Sequence, residues 1–141
     1  MLSAEQMPLL RVSDTVPRMV VPSTQQSLQR LRELCLALPG TTERLSHGEP
    51  SWFVKKQFVM FADHHHDDRV GFVAAAPDGA QQRWLALDER RFYRPPYVGS
   101  RGWIGVYLDV DQDWDDIADI VDSAHASVAA APGRSREKRG R

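Results

Sequence analysis

The chain has one cysteine, Cys35, among its 141 residues, which excludes an intrachain disulfide framework. Cys35 falls on the apolar stripe of a predicted helix, where a thiol serves as a small buried hydrophobe rather than a nucleophile. No apolar run approaches the roughly 20 residues needed to span a bilayer. The opening stretch MLSAEQMPLLRVSD lacks the basic start and long apolar core of a secretory signal. A cytoplasmic protein without a membrane partner is therefore expected. Chemistry-bearing motifs are also missing. There is no CxxC, no HExxH and no glycine loop to cradle phosphate, and no Ser-His-Asp or Cys-His set can be read from spacing. The expectation is a protein that is not an enzyme and has no cofactor. Net charge is small too, at −1, which hides an uneven distribution. Residues 134–141, RSREKRGR, carry five basic groups and one acid, while the other 133 residues hold 13 basic and 18 acidic groups. A net acidic body is a poor match for a polyanion, and the tail is where non-specific attraction to one would reside.

Hydrophobic content of 42% and charged content of 26% are those of a soluble globular chain, long enough to bury a core without staples. Residues 1–22 contain Pro8, Pro17 and Pro22 with no clear period, and are read as an N-terminal extension. Residues 23–132 form the folded domain, and 133–141 a basic disordered tail. Ser23 with Gln26 three residues on predicts a capping box. Leu28, Leu31, Cys35 and Leu38 then follow at helical spacing until Pro39-Gly40. Ser51–Val54 and Gln57–Ala62 read as strands joined at Lys55-Lys56, and Arg69–Ala76 as another strand after the polar turn DHHHDD. Asp78 is expected to cap a short helix, about Gly79–Leu87. Arg91–Tyr93 and Trp103–Leu108 read as extended. Asp113 and Asp116 open a last helix whose Trp114, Ile117, Val121, Ala124 and Val128 share one face, with Pro132-Gly133 as its stop. Hairpins grouped between terminal helices predict a single α+β domain with an antiparallel sheet packed by the N- and C-terminal helices.

The segment Arg94–Leu108, RPPYVGSRGWIGVYL, is the most distinctive part of the chain. Pro95 and Pro96 fix an extended backbone and remove two donors, and Gly99 and Gly102 permit turns that a Cβ resists. A stiff loop bearing Tyr97 and Trp103 is expected, either presenting those rings to a ligand or closing a core.

Four stretches, LRELCLALPGTTERLSHGEPSWFV, FVMFADHHHDDRVGFVAA, FYRPPYVGSRGWIGVYLD and WDDIADIVDSAHASVAA, occur in order over about residues 27–131. In that combination the chain resembles the MmcQ/YjbR family. The resemblance implies a compact YjbR-like α+β fold, commonly described as DNA-binding for its double-wing shape. No catalytic motif comes with it.

Two functions follow as expectations. In the first, the chain is a non-enzymatic DNA-binding protein, with Lys55, Lys56, Arg94 and Arg101 on two wings contacting phosphates, weakly and without sequence preference. In the second, a cleft takes a planar aromatic small molecule. Its candidate residues are Glu49, Trp52, His64, His66, Tyr97 and Trp103, with Arg94 or Arg101 at its mouth and the Trp52–Ala62 hairpin as its floor. A third class, an enzyme using Glu49 and a histidine, finds no partner at fixed spacing. His64, His65 and His66 with Asp63, Asp67 and Asp68 contain many metal-ligating atoms. Consecutive strand residues point to opposite faces, however, so the stretch is read as a turn and no metal is assigned. A monomer is expected.

Overall fold

The computed structural model describes residues 21–65 and 67–130. Three helices and six strands form an α+β unit. Helix α1 spans Thr24–Leu36 and opens on the expected capping box, with Ser23 Oγ accepting from Gln26 N–H and Gln26 Oε1 accepting from Ser23 N–H. Strands β1 (Thr42–Ser46), β2 (Glu49–Phe53), β3 (Gln57–Asp63) and β4 (Val70–Ala74) follow. Helix α2 (Ala80–Leu87), β5 (Phe92–Tyr93), a 3-10 helix (Val98–Arg101), β6 (Ile104–Tyr107) and α3 (Trp114–Ala129) complete the chain. The strands make one sheet, ordered β1-β2-β3-β4-β6-β5, with every pairing antiparallel.

Strand β1 departs from the sequence expectation, which left residues 42–46 without structure. Their mixed polarity gives no clean alternation, because β1 is an edge strand and Leu45 on it is 70% exposed. The hairpin it forms with β2 turns on His47 and Gly48, with φ of 54° and 81°. Two positive φ values are what a two-residue type I′ connection requires. Asp78 is not the cap of α2: Gly79 holds that position in a left-handed conformation, and no side chain bonds to the helix start. Asp113 does cap α3, but through Asp115 N–H rather than Asp116.

The helices cover one sheet face only. Helix α3 lies on β3 and β4, α1 on β3 and α3, and α2 against β5 and β6. The core beneath them contains Leu31, Cys35, Trp52, Phe58, Phe72, Phe92, Val106, Ile117 and Val121. Phe58 and Val59 are consecutive yet both buried. The β2–β3 register jumps from Trp52↔Val59 to Phe53↔Gln57, so Phe58 is the extra residue of a bulge. A bulge lets two neighbours face the same side, and it leaves Gln57, Met60 and Ala62 on the opposite, helix-free face. Strand β4, in the middle of the sheet, is buried along its whole length.

Candidate binding cleft

The open face of the sheet is built from small and flat residues. Met60, Val73, Gly105 and Tyr93 are successive partners across β3, β4, β6 and β5. Ala62, Gly71 and Tyr107 form the next row. A Cβ at Gly105 would run into the ring of Tyr93, and one at Gly71 into the carbonyl of Val106. Glycine at 105 is therefore what lets the Tyr93 ring lie flat on the sheet. Tyr93 stacks on Tyr107 with ring centroids 4.5 Å apart. The guanidinium of Arg69 lies 3.7 Å from the centre of the Tyr107 ring. Burial, above all, raises the Tyr93 hydroxyl pKa, so the ring stays neutral.

The loop 94–103 stands over this face as one wall. Tyr97 has φ 64° and ψ −72°, and Val98 N–H donates to Pro96 O at 2.7 Å. That is a γ-turn with the strained sign of φ, and it leaves the Tyr97 side chain 81% exposed. The loop is pinned from below by Gln81 of α2. Its buried Nε2 donates to Gly99 O at 2.9 Å and to Trp103 O at 2.5 Å. The turns at the opposite edge form the other wall. Between them lies a cleft of about 530 Å³, lined by Met60, Ala62, Val73 and Tyr93 below, by Pro95, Pro96, Tyr97, Val98, Arg101 and Trp103 on one side, and by His47, Lys56, Gln57, His65, Asp67 and Arg69 on the other.

Of the residues predicted for a cleft, Tyr97 and Trp103 line it, with Arg101 beside them. Trp52 does not. It is fully buried on the helix face, its Nε1 donating to Glu43 Oε1 at 2.9 Å. Its register partner Val59 belongs to the same core, so no ligand on the open face reaches it. The same Glu43 accepts from Arg32 at 2.9 Å, which ties α1 to the edge strand and holds Glu43 below its ordinary pKa. His64 is also misplaced by the sequence reading. It is exposed at φ 57°, paired with Asp63 at 2.6 Å, and that hydrogen bond raises its pKa. His65 takes its place in the lining. Glu49 stands behind the lining: its Oε2 accepts from Asp63 N–H at 3.0 Å and lies 3.5 Å from His65 Nδ1. Among the described residues it pairs with no arginine. His66 lies outside the described residues.

Of the four wing cations, Lys56 and Arg101 line the cleft and Lys55 and Arg94 do not. The Arg94 side chain instead lies against Gly99. Among the described residues no group of three or more His, Cys, Asp or Glu is placed to hold a metal ion. No helix among them is long and apolar enough to cross a membrane.

Sequence reasoning missed Gln81, Tyr107 and Asp109. Asp109 holds Arg69 through two bonds of 2.9 and 2.7 Å and also accepts from Val70 N–H at 3.1 Å. The bond from Arg69 is the main cause that lowers the Asp109 pKa. The alternation of Gly105 and Tyr107 on β6 carried a signal for a flat aromatic face. Nothing local marks Gln81, whose acceptors lie 18 and 22 residues away.

A family model described as YjbR matches residues 36–127, well over half of the chain. Comparison with curated proteins finds no match.

Proposed function

The chain belongs to the YjbR family, and from that premise we propose that it is a non-enzymatic binding protein holding a planar small molecule on the open face of its sheet. One observation carries this reading: a preformed cleft of about 530 Å³ joins a tyrosine floor to a proline-stiffened loop bearing Tyr97 and Trp103. The volume lies within the few hundred to about 1,000 Å³ common for small-molecule sites. Gln81 and the two prolines order the wall in advance, which lowers the entropy cost of binding. Among the described lining residues there is no serine, threonine or cysteine.

The test is titration with planar aromatic compounds, read by tryptophan quenching. Only Trp103 lines the cleft. Trp52 is sealed in the core, Trp84 packs on Phe92 and Trp114 lies beneath Arg30. Saturable quenching in the parent protein, lost in Trp103→Phe, is the expected result, with some fall in melting temperature because Trp103 is 8% exposed and packs in the core. Absence of quenching by any planar compound overturns the reading.

DNA binding is a second reading, supported by Lys56 and Arg101 projecting from separate loops on the side away from α3. The acidic groups of the last helix, Asp115, Asp116, Asp119 and Asp122, belong to the helix-covered side. A gel-shift titration with duplex DNA separates the readings: duplex binding lost in Lys56→Gln/Arg101→Gln, with planar compounds still quenching Trp103, favours DNA.

A further inference from the structure

Three cations line the cleft, and they are not equivalent. Arg69 is spoken for. Asp109 takes its guanidinium edge, and its flat face covers Tyr107. Lys56 and Arg101 differ from it. Among the described residues neither forms an ion pair, and the Arg101 guanidinium lies 5.5 Å from the Trp103 ring centre. They come from opposite walls, Lys56 from the turn between β2 and β3 and Arg101 from the end of the 3-10 helix. Asp67 is the one carboxylate in the lining, and its Oδ1 already accepts from Arg69 N–H at 3.0 Å. The cleft therefore joins an apolar aromatic floor to two positive charges that form no ion pair among the described residues.

From this arrangement we infer that the ligand of the cleft is an aromatic anion, its ring on the floor beside Trp103 and its carboxylate, sulfonate or phosphate group bridging Lys56 and Arg101. A neutral ring would bury against the floor but leave both cations unused. An anion without a ring would meet two exposed charges that water screens well. Only a molecule with both parts uses both features. Bridging the two loops also draws the walls together, so one anionic group would close the cleft over its own ring. The inference rests on the cleft reading above and adds the charge of the occupant.

The test uses two probes with the same ring system, 8-anilinonaphthalene-1-sulfonate and N-phenyl-1-naphthylamine, which differ by the sulfonate. Full-length protein is expected to bind the sulfonated probe about ten-fold tighter or more, the scale of a charge-assisted hydrogen bond. Lys56→Gln/Arg101→Gln should erase that preference, lowering the sulfonated probe's affinity to that of the neutral one. Ala62→Phe, which fills the floor, should lose both probes. Tyr97→Ala provides the same control on an exposed side chain should Ala62→Phe melt early. Equal binding of the two probes, both weakened by the floor or wall variants, overturns the anionic ligand and leaves the cleft standing. Binding of neither probe, or binding indifferent to both of those variants, overturns the cleft and the inference together.

Discussion

At the scale of single residues, Tyr97 and Asp109 show how a site is held at some cost to local comfort. A tyrosine at φ 64° and ψ −72° occupies backbone space that residues with a Cβ resist, and such strain is worth about 1–3 kcal/mol. Its ring is 81% exposed, so little packing offsets that. Tyr97→Ala should leave stability within about 0.5 kcal/mol, as for other exposed positions, and Tyr97→Gly should be at least as stable as Tyr97→Ala. Both should weaken binding of planar compounds. A Tyr97→Ala loss of several kcal/mol in denaturant melts would instead make the ring a core lid. Asp109 carries a pH signature. Its folded pKa is lowered, chiefly by the Arg69 hydrogen bond. Its contribution is thus complete above the unfolded carboxylate value and is lost as pH falls through the folded one. Asp109→Asn should melt earlier than the parent protein at neutral pH, and the gap should close in acid. A gap that stays constant on acidification would remove Asp109 from the acid response.

At the scale of elements, the loop 94–103 depends on a helix packed on the far side of the sheet. Gln81, 2% exposed, bonds two loop carbonyls, of which Gly99 O also accepts from Gly102 N–H at 3.1 Å. Gln81→Leu should cost about 1–3 kcal/mol, mainly for the donor lost at Trp103 O. It should also speed amide exchange at Gly99 and Trp103 and weaken ligand binding, although residue 81 never touches the cleft. Unchanged exchange in the loop would mean that the prolines alone order it. The bulge at Phe58 does comparable work for the floor: by turning Phe58 inward with Val59, it frees Met60 and Ala62 for the open face.

At the scale of the whole molecule, charge is uneven between segments. Last-helix carboxylates occupy the helix side, Lys56 and Arg101 the open side, and residues 134–141 hold a surplus of basic groups. Truncation after Gly133 should therefore remove most of any duplex DNA binding, and what the full chain shows should have a shallow salt dependence. Tight duplex binding by the truncated protein at physiological salt would assign the function to the loops. Folding should be independent of metal: thermal melts with and without a strong chelator should superimpose. A large chelator-induced drop, with stoichiometric zinc in the native protein, would contradict this.

Periodicity alone was enough for α1, α3 and the central strands, because their apolar spacing, the Ser23 cap and the Asp113 cap are local. The Pro95–Trp103 loop was legible for the same reason, since two prolines and two glycines restrict or free the backbone wherever they occur. Which side of the sheet each aromatic would occupy was not legible. Trp52 and Trp103 look alike in sequence, and only the fold shows that Trp52, paired with Val59, is sealed on the helix face while Trp103, 8% exposed and part of the core cluster, borders the cleft. Strand β1, the Gln81 brace, the Arg69–Asp109 pair and the meeting of Lys56 with Arg101 in one cleft are likewise products of tertiary structure. Each joins residues whose separation along the chain carries no period, and only the folding of six strands into one sheet brings them to a common face.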